Sequence, residues 1–182
     1  TFGTSGGFEF SDESPGTYLS IAWDETNDRG IVVYRGTSDV GKFKVFTVDR
    51  INHTISFPTE TNSSGTFESN TVTGCSVMWN ENEGHFLIVY RDDDSNEVHK
   101  LIKATIGGTN NDEITLGTAR TFAPLLSGQS NGQGFHTYQN HIKQTYISAG
   151  SKGSFVALAL DHYGDINTYR LSAQGTDYTN DV

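Results

Sequence analysis

The sequence predicts an all-β fold in which about three copies of one four-stranded unit form a β-propeller-like arrangement. Three observations carry that prediction. A segment recurs at a spacing of 56 residues, its inner strands are apolar almost throughout, and short polar turns join them. The alternative is a β-sandwich, which leaves one face of each strand wet and so alternates apolar with polar residues.

The repeat is plainest at residues 20–35, Ser-Ile-Ala-Trp-Asp-Glu-Thr-Asn-Asp-Arg-Gly-Ile-Val-Val-Tyr-Arg. Residues 76–91 read Ser-Val-Met-Trp-Asn-Glu-Asn-Glu-Gly-His-Phe-Leu-Ile-Val-Tyr-Arg. Six of the sixteen ungapped positions are identical, among them Trp23/Trp79 and the endings Val33-Tyr34-Arg35/Val89-Tyr90-Arg91. Most other pairs keep their apolar or polar character.

The first strand of each unit ends at the tryptophan, and a polar turn follows (residues 24–29 and 80–84), the signature of a hairpin. The second strand, Ile31-Val32-Val33-Tyr34 or Phe86-Leu87-Ile88-Val89-Tyr90, shows no alternation. Such a strand is covered on both faces. The third mixes lysine with apolar residues, Lys42-Phe43-Lys44-Val45-Phe46, as a strand nearer the rim does. Its Lys44-Val45-Phe46 aligns with Lys100-Leu101-Ile102. The fourth is Ile55-Ser56-Phe57-Pro58-Thr59, aligned with Ile114-Thr115-Leu116-Gly117-Thr118.

Thr1-Phe2-Gly3-Thr4 repeats that fourth-strand pattern, so the chain opens at the tail of a unit. A third, worn copy has strands at Thr145-Tyr146-Ile147-Ser148-Ala149, at residues 155–160 and at residues 166–171, and is expected to lack a fourth. Residues 1–122 thus hold a closing strand and two units, residues 123–144 an inserted loop or linker rich in Gly, Ser, Asn and Gln, and residues 145–182 the incomplete third unit. Three units are fewer than the 4–8 of a closed propeller. The chain is therefore expected to be an arc of something larger, or to assemble with copies of itself.

Twenty-two acidic against twelve basic residues give a formal net charge of −10. An acidic surface favours solubility and repels phosphate backbones, so nucleic acid is not an expected partner. No apolar run reaches the roughly 18–20 residues of a membrane helix, and the start of the chain has no signal-peptide pattern. It also lacks an initiator methionine, as a processed or partial chain would.

Candidate sites are few. Cys75 is the only cysteine and sits in the apolar run Cys75-Ser76-Val77-Met78-Trp79, which makes it a buried strand residue rather than a nucleophile. Asp92-Asp93-Asp94-Ser95-Asn96-Glu97 offers oxygens of the kind calcium takes, but without a glycine at the sharp turn it reads as a solvated hairpin turn. His53, His85, His99, His136, His141 and His162 show no zinc spacing. No carboxylate pair or Asp-box marks a glycosidase. No cofactor motif is present, so the chain is expected to be no enzyme. Tyr18, Tyr138, Tyr146, Tyr163 and Tyr178 could stack on sugars or pack at strand rims. Asn52-His53-Thr54 and Asn62-Ser63-Ser64 fit the glycosylation pattern, which matters only in a source with that machinery.

Trp23-Asp24, Asn27-Asp28-Arg29, Ile31 to Tyr34, Gly41 and the closing Ile55 to Thr59 follow one another in an order that resembles repeats of tail-fibre and appendage proteins of tailed bacteriophages, marine phages above all. The resemblance covers residues 1–122 well and 145–171 loosely. Pro58 stands where those repeats have glycine, and the third unit has Leu160-Asp161 in place of Tyr-Arg. The resemblance implies a non-enzymatic structural or receptor-binding role in a virion, with other virion subunits, copies of itself or a host-surface glycan as partners. A secreted propeller-type lectin and a polysaccharide hydrolase are the alternatives.

Overall fold

The structure, a computed structural model, describes residues 18–81, 83–94 and 98–123 and the strands at 144–149, 155–160, 166–171 and 178–179. Among these residues there are strands, one short 3-10 turn at Thr37–Asp39 and no α-helix, so the all-β expectation holds. The first unit comprises β1 (Leu19–Asp24), β2 (Arg29–Arg35), β3 (Val40–Asp49) and β4 (Thr54–Ser56). The second comprises β5 (Ser64–Asn80), β6 (His85–Asp92), β7 (Val98–Gly107), β8 (Glu113–Leu116) and β9 (Arg120–Ala123). These nine strands form one open antiparallel sheet in the order β1-β2-β3-β5-β6-β7-β8, with β4 on β3 and β9 on β7. A separate four-stranded sheet holds β10 (Gln144–Ala149), β11 (Phe155–Leu160), β12 (Ile166–Leu171) and β13 (Tyr178–Thr179).

The two units share one register. Trp23 lies opposite Gly30 and Trp79 opposite Phe86; Tyr34 faces Lys42 and Tyr90 faces Lys100; Val48 faces Ile55 and Ile106 faces Ile114. The first, second and fourth strands thus align as the sequence suggests. The third strands do not. Lys42, not Lys44, is the counterpart of Lys100, because the chain runs two residues further from Tyr90 to its partner Lys100 than from Tyr34 to its partner Lys42. A slip of two keeps every side chain on its face, so the alternation looks the same in either alignment.

Two further expectations need correction. The fourth strand is split: β4 pairs with one end of β3, and the start of β5 pairs with the other, at Lys42↔Thr66 and Lys44↔Ser64. The second unit repeats this with β8 and β9 on β7. The third unit, the four-stranded sheet, does not lack its fourth strand, since Tyr178–Thr179 pairs with β12 at Leu171↔Tyr178. Most of the expected insertion, residues 124–143, lies outside the described residues, and Ala123 belongs to β9.

β5 joins the units without a loop. Its first half closes the first unit and its second half opens the next; the ladder slips between Thr73 and Ser76, where Gly74 takes a φ of 65°. The sheet doubles back here, so that β1 lies against β5. The Cys75 thiol donates to the Tyr18 carbonyl at 3.1 Å, and the Val77 amide donates to Ser20 Oγ at 3.1 Å. One buried cluster fills the space between, with Ile31, Val33, Phe43 and Val45 from the first unit and Cys75, Val77, Ile88 and Ile102 from the second. Side chains of opposite parity, Val32, Tyr34 and Phe46 or Leu87, Val89 and Leu101, are buried as well. β2 and β6 are therefore covered on both faces, as their uninterrupted apolar runs require. β10 lies beside β5 and β6.

Candidate functional site

The densest polar grouping among the described residues sits at the seam between the units. Glu68 comes from the half of β5 that pairs with β3, opposite Gly41. Tyr90, Asp92 and Lys100 come from β6 and β7 of the second unit, with Tyr90 and Lys100 directly across the ladder. Tyr90 donates its hydroxyl to Glu68 Oε2 at 2.8 Å, and Lys100 Nζ reaches the same oxygen at 3.1 Å. Lys100 also forms an ion pair with Asp92, whose side chain is fully buried. Asn70 Nδ2 donates to both oxygens of Asp92 at 3.1 and 3.0 Å.

Local geometry puts these groups together. No side chain of Gly41 obstructs the Phe67 ring, which meets Tyr90 edge-on at 5.1 Å between centroids. Phe67 and Glu68, adjacent in sequence, thus grip the ring and the hydroxyl of one tyrosine. Next to them Arg91 pairs with Asp93 at 2.8 Å, Thr73 Oγ1 donates to Asp93 at 2.5 Å, and the Thr71 amide donates to Asp94 at 2.8 Å. The first unit has a matching pair, Arg35 with Asp39 at 2.7 Å. In each unit the arginine of the Tyr-Arg ending ties down the turn that follows it.

The electrostatics follow from this enclosure. Burial pushes the Tyr90 hydroxyl up, and its hydrogen bond to Glu68 adds to the effect. Burial works against the Lys100 charge, but hydrogen bonds to Asp92 and Glu68 outweigh it and hold the ammonium above its ordinary range. The two carboxylates therefore share one permanent cation. The chemistry such a grouping carries out is charge-assisted hydrogen bonding across a seam, which fixes one unit against the next.

The acidic run is thus not a solvated turn over its first part. Asp92 is buried on β6 and Asp93 half-buried, because Lys100 and Arg91 offset the cost of removing their charges from water. Residues 95–97 lie outside the described residues. Nowhere among the described residues do three or more His, Cys, Asp or Glu side chains gather as a metal site would need. Cys75 is buried, and burial pushes its thiol up to about 12. His85 is buried with Nδ1 3.2 Å from the Glu83 carbonyl, and its pKa is lowered chiefly by burial. His53 is exposed.

Tyr18 is half-buried, with Arg35 5.7 Å above its ring, so it packs at the seam. Tyr146 falls in β10 and Tyr178 in β13, whereas Tyr138, Tyr163, His136, His141 and His162 lie outside the described residues. His99 is on β7, and Asn52 and Asn62 are exposed on turns. The sequence reading missed Glu68, Asn70, Tyr90 and Lys100. Its one available signal was that Tyr34 and Lys42 recur, at the register given above, as Tyr90 and Lys100.

No protein-family model matches the chain, and no curated protein matches it.

Proposed function

We propose that this chain is a non-enzymatic structural or receptor-binding module of a tailed-phage appendage, in which four-stranded units stack as the blades of a propeller-like arrangement. One observation carries the reading: two units with the same register lie against each other with β2 and β6 buried on both faces. A sandwich would leave one face of those strands wet. The polar seam supports the same view, because its charged groups are engaged in joining units. The resemblance of residues 20–35 and 76–91 to appendage repeats supplies the virion setting. Turns at the ends of the units, such as the exposed one around Ile51, are the surfaces such a module would offer to neighbouring subunits or a host-surface glycan.

The test is immunogold electron microscopy of phage particles from the source, using antibodies raised against the chain. Label on the tail apparatus is the expected result. Particles that consistently lack the chain sink the proposal. A glycan array positive for simple sugars with a chain found only free in solution favours the lectin instead, and release of reducing ends from polysaccharide by the purified chain favours the hydrolase.

A further inference from the structure

The groups that clamp the seam also hold the parts of an acyl transfer. Asp92 and Lys100 lie diagonally across the β6–β7 hairpin on one face of the sheet, since Tyr90 faces Lys100 and Asp92 faces Val98. The Asp92 side chain is fully buried and pairs with Lys100 Nζ. The Lys100 and Glu68 side chains are only 18% and 12% exposed, and Nζ lies 3.1 Å from Glu68 Oε2. An amine, the carboxyl it can attack and a second carboxylate on the same nitrogen are thus enclosed together. Asn70 Nδ2 donates to both oxygens of that first carboxyl, at 3.1 and 3.0 Å. The hairpin itself does not require Asp92. In the first unit Tyr34 and Lys42 occupy the positions of Tyr90 and Lys100, but Gly36 stands where Asp92 does.

We propose that Lys100 and Asp92 join in a self-formed isopeptide bond, with Glu68 as the proton carrier. Glu68 takes a proton from the Lys100 ammonium, and the lone pair so freed attacks Cγ of Asp92. Negative charge gathers on the Asp92 oxygens, where Asn70 Nδ2 donates. One of those oxygens then leaves as water, carrying two protons from the nitrogen that Glu68 has passed on. An N–C bond forms, a C–O bond breaks, and one cation and one anion vanish together, so the balance closes on the chain's own atoms. Tyr90, whose hydroxyl donates to Glu68 at 2.8 Å, is a positioning residue. In dilute water such a condensation runs backwards. Neighbouring groups, however, react at effective concentrations of about 10⁵–10⁸ M, and the bond removes two charges held out of water. Hydrogen bonds to Asp92 and Glu68 keep the Lys100 proton on, which makes the step slow. The ion pair described above is therefore the state in which the chain folds, and the bond later staples β6 to β7 beside the seam.

The experiment is mass spectrometry of the full folded chain as it ages after refolding, with tryptic mapping. The expected result is a progressive loss of one water. Trypsin then no longer cuts after Lys100, and a looped peptide of residues 92–103 replaces the peptides 92–100 and 101–103. Glu68→Gln should slow the loss about a hundredfold or more. Asp28→Asn, at an exposed turn away from the seam, is the control and should lose water as the parent does. If Glu68→Gln does not fold, the parent chain decides alone. A folded parent that keeps its full mass overturns the proposal. So does a water loss that leaves cleavage after Lys100 intact, or one that Glu68→Gln does not slow. None of these results bears on the virion proposal, which the labelled particles decide separately.

Discussion

The ring of Phe46 lies across the ladder over Gly30, where the β-carbon of any other residue would fall inside it. In the second unit the sizes are exchanged, with Phe86 at the position of Gly30 and Ala104 at that of Phe46. Each phenylalanine stands against its unit's tryptophan, at 5.6 Å from Trp23 and 4.7 Å from Trp79 between centroids. What recurs is a filled volume beside the tryptophan, supplied by the third strand in one unit and the second strand in the other.

Gly30→Ala is therefore expected to destabilise the chain by about 1–3 kcal/mol through overpacking. The exchange Gly30→Phe with Phe46→Ala, which copies the second unit, should recover most of the loss of Gly30→Phe alone. Urea midpoints measure both. Additive losses in the double variant would contradict the exchange.

Lys100→Ala leaves buried Asp92 and nearly buried Glu68 without their cation and should cost about 3 kcal/mol or more. In an Asp92→Asn background the same substitution should cost clearly less. A double-mutant cycle in urea gives the coupling, and a cycle showing none would remove the clamp from the account.

Stability should fall as pH rises above 9. Burial lifts the Cys75 thiol from 9.0 to about 12, so between those values the unfolded chain loses a proton that the folded chain keeps. At pH 10 the effect is about 1.4 kcal/mol. Lys100 and Tyr90, both raised, act in the same direction at higher pH, each losing its contribution as its unfolded form deprotonates. Unfolding free energies at pH 8, 9 and 10 check this; Cys75→Ala should flatten the slope over that range, and an unchanged slope would count against the buried thiol.

Asp24 is fully buried and holds the β1–β2 turn by accepting from the Thr26 amide at 2.9 Å, the Asn27 amide at 3.2 Å and Asn27 Nδ2 at 2.6 Å. Its counterpart Asn80 accepts from the Glu83 amide at 3.3 Å. Asp24→Asn should thus be tolerated, and Asp24→Ala should cost about 1–3 kcal/mol. Thermal or urea unfolding that ranks the two the other way would show the turn is held differently.

How much of this was legible depends on what each residue's signal could encode. β2 and β6 were plain because burial on both faces needs an unbroken apolar run, and Ile31 to Tyr34 supplies one. The register of β7 was not, since period-two alternation is blind to a slip of two. The first half of β5 was missed because Ser64, Gly65, Thr66 and Glu68 look like turn residues; they form a strand by pairing with the edge of β3. Asp92 looked solvated because its partners are set by cross-strand position: Lys100 lies eight residues on and Asn70 twenty-two residues back.

The seam between β1 and β5 can be read directly from nuclear Overhauser effects of the assigned chain. Cross-peaks from the Val77 amide to the β-protons of Ser20, together with ring contacts pairing Trp23 with Phe46 and Trp79 with Phe86, are the expected result. Resolved signals for all of these groups with no contact between Val77 and Ser20 would show that the two units do not lie against each other, and the account of stacked units would fail.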